Sequence, residues 1–191
     1  AWGEYMRRLH LGQAMDIHWH RDFESLPGLE EYYTMCGLKT GCLARLAAVL
    51  GVLAALPGTG QAQEAAEKLG LAAEKLGVGF QILDDVKNLS AGLPGKKRGD
   101  DVVEGKKSLP VLLYLHGQGD DGRDARLRLV SRCFGKAREG GTSAPEVEEL
   151  ISALTAAGVL DKAQEQGHTL IREAVETFES PGITGLIDLI G

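Results

Sequence analysis

Residues 61 to 90 read as one uninterrupted helix, and this stretch constrains the fold more than any other. Leu69, Leu76, Phe80, Leu83 and Val86 recur there near helical spacing. It is bounded by "LPGTG" (56–60) and "AGLPGKKRGDD" (91–101), both rich in turn-forming residues. The rest of the chain keeps the same period. Helices are expected over 3–20, from the Ser25–Pro27 start to about Leu53, from Ser108–Pro110 onward, and near 122–138, 144–157, 159–180 and 183–190. Ser143 and Glu146 have the spacing of a capping box. No stretch sustains the two-residue alternation of a half-buried strand. The expected fold class is all-α: a single helical domain over 1–191, with long helices around one core.

Charge and composition narrow the partners. A net charge of -6 argues against nucleic acid, which selects a basic footprint. No apolar run approaches the roughly 20 residues of a membrane span. The three cysteines, Cys36, Cys42 and Cys133, form no CxxC pair and no disulfide framework. A reducing, cytoplasmic setting is therefore expected. The chain starts at Ala1, inside what reads as a helix, so an N-terminal part is expected to be missing or processed.

The long helix ends in "FQILDDVKNLS". Asp84 and Asn88 are four apart and share a face, while Asp85 is offset by about 100°. Oxygen donors of this kind suit Mg²⁺, which takes one or two carboxylates, water and substrate phosphates. A solvated helix end is the other reading, and these residues alone leave both open. Gln81 extends the polar stripe, and Gly77 and Gly79 lower helix propensity but permit close helix approach. Behind the helix, Lys96, Lys97 and Arg98 face no obvious partner in the local sequence; such cations bind phosphate, and a solvated charged loop is the other reading. Lys39 and Thr40 precede an apolar run in "LKTGCLARLAAVLG". Gln13 and Asp16 in "GQAMD" lie three apart on one helix face.

Four ordered blocks, "GQAMD" (12–16), "LKTG" (38–41), "GFQILDDVKNL" (79–89) and "GKKRGDDVVEGKKSLP" (95–110), resemble the trans-isoprenyl diphosphate synthases, the farnesyl-, geranylgeranyl- and polyprenyl diphosphate synthase family. The resemblance covers residues 1–115 and implies a bundle of long antiparallel helices around a central cavity, incomplete at its N-terminus. It implies Mg²⁺, or Mn²⁺, as cofactor, and isopentenyl diphosphate with an allylic diphosphate as substrates. By that resemblance Asp84 is the direct metal ligand, with Asp85 acting through water or a neighbour and Asn88 closing the motif. Lys39, Lys96 and Lys106 grip the allylic diphosphate, and Thr40 and Gln81 flank the reacting carbons. Gln13, Asp16 and Phe80 line the cavity.

Two departures stand out. The motif ends in Asn88 where aspartate is usual, and the family's upstream aspartate-rich motif is not in the sequence. "GDDGRDA" (119–125) has the right letters but lies downstream in a glycine-rich turn, and reads as a loop. The chain is thus expected to be the C-terminal part of a synthase, acting as a homodimer or with a chain supplying the N-terminal half. A catalytically incomplete subunit that regulates a full synthase is the alternative. A terpene cyclase fits poorly, because the position eight after Asp84 is Gly92 and not an acidic ligand.

Overall fold

The computed structural model describes residues 2–22, 25–58, 60–92, 95, 97–116 and 122–180, and among them there is no strand. The all-α expectation holds. The elements are α1 (Trp2–Arg21), α2 (Leu29–Cys36), a π-helical turn (Gly37–Gly41), α3 (Cys42–Ala55), α4 (Gly60–Ser90), α5 (Asp100–Glu104), α6 (Leu109–His116), α7 (Arg123–Gly140), α8 (Pro145–Ala156) and α9 (Val159–Phe178). The expected helix over 183–190, and Asp120 and Asp121 of "GDDGRDA", lie outside the described residues. Two compact units can be distinguished along the chain.

The first unit comprises Ala1–Gln13, Thr34–Gln81 and Gly167–Gly191. Its part of α4 buries small residues: Ala62, Ala65, Ala66, Gly70, Ala72, Ala73 and Gly77. Small side chains let a neighbouring backbone come close. A Cβ on Gly77 would sit 2.9 Å from the Gly41 Cα, so only glycine fits where α4 meets the π-helical turn. Ion pairs close the edges: Arg45 on α3 reaches Glu74 (2.8 Å) and Glu67 (2.6 Å), and Lys75 reaches Glu173 on α9 (2.7 Å).

The second unit comprises Ala14–Tyr33 and Ile82–Gln166. Its core is built on α6, where Leu109 through Leu113 and Leu115 are all buried. A helix apolar on every side must be surrounded by protein. α7 presents Val130, Cys133, Phe134 and Ala137, and α8 presents Val147, Leu150, Ile151 and Leu154. Each set follows the i, i+3, i+4, i+7 spacing of one buried stripe.

Three local expectations are corrected. The segment read as a loop over 91–101 already contains the start of α5. Gly99 (φ 82°) and Gly105 (φ 73°) bracket α5 in the left-handed region, so the glycines cap a short helix here rather than marking loop. The capping box does not form: Ala144 is the N-cap and Pro145 the first helical residue, which leaves Ser143 in a 3₁₀ turn. The third concerns the membrane. α2, the π-helical turn and α3 form one continuous run, Leu29–Ala55, long and apolar enough to cross a membrane by length and composition (mean hydropathy 1.6). A search for an unbroken apolar run misses it, because Lys39 and Arg45 interrupt it. Arg45 pairs with Glu74 and Glu67 on α4 from within this run, and 17% of its most apolar window is buried.

Candidate active site

In the first unit the "LKTG" block is the π-helical turn itself. A π turn inserts an extra residue into helical winding and re-aims the side chains it carries; such turns recur at functional sites. Its position is set by backbone contact. A Cβ on Gly12 of α1 would lie 2.5 Å from the Lys39 nitrogen, and one on Gly41 would lie 2.8 Å from the Glu74 carbonyl oxygen. Held in this way, Thr40 donates its hydroxyl to Gln81 Oε1 on α4 at 2.9 Å. The two residues expected to flank the reacting carbons are therefore bonded to each other. Lys39 and Gln13 are half-buried. Phe80 is 57% exposed, an unusual position for a phenylalanine ring. Gly79 is also required by close approach, with its Cβ position 2.8 Å from the Gly167 carbonyl oxygen.

In the second unit the aspartate motif is sorted by burial. Asp84 is exposed, Asp85 is 0% exposed and Asn88 is 1% exposed. Asp85 Oδ2 accepts the Tyr32 hydroxyl at 3.0 Å, and Oδ1 accepts from Lys106 Nζ at 2.6 Å. Lys106 Nζ also reaches Asp101 Oδ2 at 3.3 Å. Asn88 Oδ1 accepts the backbone N–H of Asp101 at 3.1 Å. Burial alone would push the Lys106 ammonium down. The facing carboxylates of Asp85 and Asp101, the bond to Asp85 and the field of Asp16 outweigh it and hold the group above its ordinary value. Asp16 is itself buried, with Oδ1 3.0 Å from His20 Nε2.

This arrangement amends the expectations in three places. Asp84 and Asn88 share a helix face but not an environment: Asp84 is exposed, while Asn88 is buried and its amide oxygen tethers α5. Lys106, expected on the diphosphate, is only 8% exposed and is directed at two carboxylates. Arg98, which has no obvious partner in the local sequence, donates Nε to the Leu89 carbonyl at 3.1 Å and pairs with Glu148 on α8. Lys96 lies outside the described residues. Beside it the Lys97 N–H donates to Asp100 Oδ2 at 2.8 Å, which fixes the end of the basic loop.

Sequence reasoning missed Tyr32, Asp101 and Lys107. Asp101 stands inside the quoted "GDDVVEGKK" block, so its proximity was readable. Tyr32 lies 53 positions from Asp85, with no local signal to link them. Lys107 is buried, donates to the carbonyls of Trp19 and Asp22, and sits 5.7 Å over the Phe134 ring. Its burial pushes the ammonium down to about 8, with Asp22 opposing and Arg138 adding to the shift.

The donor set fits a divalent ion in one way. With both Asp85 oxygens engaged and the Asn88 oxygen taken, Asp84 is the exposed carboxylate of the motif. Among the described residues no group of three acidic, histidine or cysteine side chains makes a full protein cage. One carboxylate completed by water and phosphate oxygens is how Mg²⁺ is commonly held.

A family model for polyprenyl synthetase matches residues 2–143. A geranylgeranyl pyrophosphate synthase of Gibberella zeae is 42% identical over 111 residues, 57% of this chain and 28% of that protein. One from Aspergillus flavus is 41% identical over 111 residues, covering 57% of this chain and 30% of its own length. Among solved structures, a geranylgeranyl pyrophosphate synthetase of Pyrococcus horikoshii superposes with a TM-score of 0.72 at 29% identity, over 98% of this chain and 54% of that one. The match thus spans under a third of these curated relatives, and the chain spans just over half of the solved one. With the family model covering most of its residues, the chain belongs to the polyprenyl synthetase family.

Proposed function

We propose that this chain forms part of a trans-prenyltransferase that condenses isopentenyl diphosphate with an allylic diphosphate into a longer isoprenyl diphosphate. The observation that supports this most is the sorting of the motif on α4, where Asp84 is left in solvent beside a fully buried and doubly held Asp85. A magnesium ion, or manganese, held there by Asp84 would set positive charge against the departing diphosphate.

The chain's own residues do the rest. Lys39 and Lys96 supply cations for the allylic diphosphate, as point charges. Thr40 and Gln81 hold each other, so their oxygens are already oriented to stabilise positive charge on the allyl carbons and to receive the lost proton. Gln13 and Asp16 line the cavity, and Phe80 lies near the isopentenyl diphosphate site. The three buried cysteines, none of them in a disulfide, support a reducing compartment. A homodimer, or a pairing with a second chain, completes the enzyme.

The test is to incubate the protein that carries this chain with labelled isopentenyl diphosphate, an allylic diphosphate and Mg²⁺. Elongated, metal-dependent product is expected. No product, together with stimulation of a full synthase, would favour the regulatory reading instead.

A further inference from the structure

Lys106 invites assignment to the diphosphate, because it is a lysine in a basic segment of a phosphate-handling family. Its surroundings point elsewhere. The side chain is 8% exposed, and its ammonium lies 2.6 Å from Asp85 Oδ1 and 3.3 Å from Asp101 Oδ2. Those carboxylates are 0% and 2% exposed. Removing one member of such a group leaves an uncompensated buried charge, among the more destabilising changes a protein can suffer. Asp85 is held from its other side as well: Tyr32, 0% exposed, donates to Oδ2 at 3.0 Å. The carboxylate thus has one neutral and one charged donor, one on each oxygen, and losing either removes a hydrogen bond from a fully buried group.

The consequence falls on the next residue. Asp84 and Asp85 are consecutive on α4, so their side chains leave the helix about 100° apart. Fixing Asp85 inward fixes the rotation of that turn of α4, and so the direction in which Asp84 points. Asn88, one turn later, adds a second anchor through the Asp101 N–H at 3.1 Å, and Asp101 in turn holds Lys106. The loop closes on itself: Tyr32 and Lys106 on Asp85, Lys106 on Asp101, Asp101 on Asn88.

We propose that Lys106 and Tyr32 are positioning residues that clamp both oxygens of Asp85, and that Lys106 does not bind substrate phosphate. The clamp sets the rotation of α4 that presents Asp84. Its role toward Asp84 rests on the prenyltransferase reading; its existence as a buried ionic unit does not.

Two measurements on the full protein separate these. The first is thermal unfolding of the wild type, Lys106→Met, Asp85→Asn and the double variant. The clamp predicts that Lys106→Met lowers Tm by about 10 °C, because Asp85 and Asp101 are left buried with their counter-ion gone. Adding Asp85→Asn to it should recover part of that loss, since the amide no longer needs the counter-ion. A lysine that grips phosphate predicts the reverse: an unchanged Tm, additive double-variant behaviour and weakened binding of inorganic pyrophosphate. That outcome overturns the proposal.

The second is Mn²⁺ binding in the presence of inorganic pyrophosphate, followed by electron paramagnetic resonance, for the wild type and Tyr32→Phe. Loss of the hydroxyl should weaken Mn²⁺ about tenfold, as removal of an outer partner commonly does, and leave pyrophosphate affinity unchanged. Equal Mn²⁺ affinity in the two proteins would refute the positioning role. No Mn²⁺ binding by the wild type, with the stability cycle intact, would sink the prenyltransferase reading while the buried clamp stands.

Discussion

Replacing Gly77 by alanine tests whether the contact between α4 and the π-helical turn carries the site. In an open helix this change stabilises by about 1 kcal/mol, because glycine has the larger backbone entropy to lose. Here the new Cβ would meet backbone: the Gly41 Cα at 2.9 Å and the Gly41 nitrogen at 3.3 Å. Neither atom can rotate aside. Reaching ordinary carbon contact, roughly 3.6 Å, requires the two segments to part by about 0.7 Å. Overpacking of this kind costs about 1–3 kcal/mol. The same displacement would stretch the Thr40–Gln81 bond from 2.9 Å beyond hydrogen-bond reach. Losing it adds about 1 kcal/mol. The balance is a net loss of about 1–3 kcal/mol, together with misplacement of Thr40. Gly51 on α3 is the control, since nothing lies within 4 Å of its Cβ position. Urea unfolding should show Gly51→Ala more stable by about 1 kcal/mol and Gly77→Ala less stable than the wild type. If both variants gain equally, the close contact does not exist and the account of the π-helical turn fails.

Gly99 combines a left-handed φ of 82° with a Cβ position 2.4 Å from Val147 Cγ1. Gly99→Ala should therefore lose about 2–4 kcal/mol, and shortening Val147 to alanine alongside it should not add its full single-variant cost; additive losses in denaturant melts would contradict this. Thr40→Val keeps the shape and removes the donor to Gln81. It should change stability by less than about 1.5 kcal/mol while lowering turnover, and unchanged kcat would show that the hydroxyl is idle. Lys107 gives a pH signature. Its folded value, about 8, is below the ordinary 10.5, so between those values the unfolded chain binds the extra proton and stability rises with pH. Wild type should gain stability relative to Lys107→Met from pH 8 to 10 in urea titrations, and a flat difference would remove the buried-ammonium reading. Lys106 has the opposite sign. Its value is raised, so its contribution persists through that range and fades only at higher pH, leaving the Lys107 trend visible.

The long elements were legible because their signals are local. The turn residues on both sides of α4 placed its ends within a residue of where they stand, and the same holds for α1. What escaped the sequence is set by contacts distant along the chain. Nothing local marks Gly12 and Gly41 as close-contact positions; their Cβ sites meet the backbone of Lys39 and Glu74. Arg98 finds its partner fifty positions on, at Glu148, which no inspection of "GKKRGDD" could supply. Within the motif, periodicity gave the face shared by Asp84 and Asn88 but not its burial. Asn88 is tethered by Asp101 of α5, a helix of five residues too short to announce itself by periodicity. The residue types of the site were readable; the division of labour among them belongs to tertiary structure.

The central claim is that the outward carboxylate of α4 serves a metal-assisted prenyl transfer. Its most direct test is the initial rate of chain elongation from labelled isopentenyl diphosphate at saturating Mg²⁺, compared between wild type and Asp84→Ala. Because Asp84 is exposed, the variant should unfold at the wild-type temperature. The account predicts a rate at least a hundredfold lower with the fold intact. A variant that elongates at the wild-type rate would contradict it.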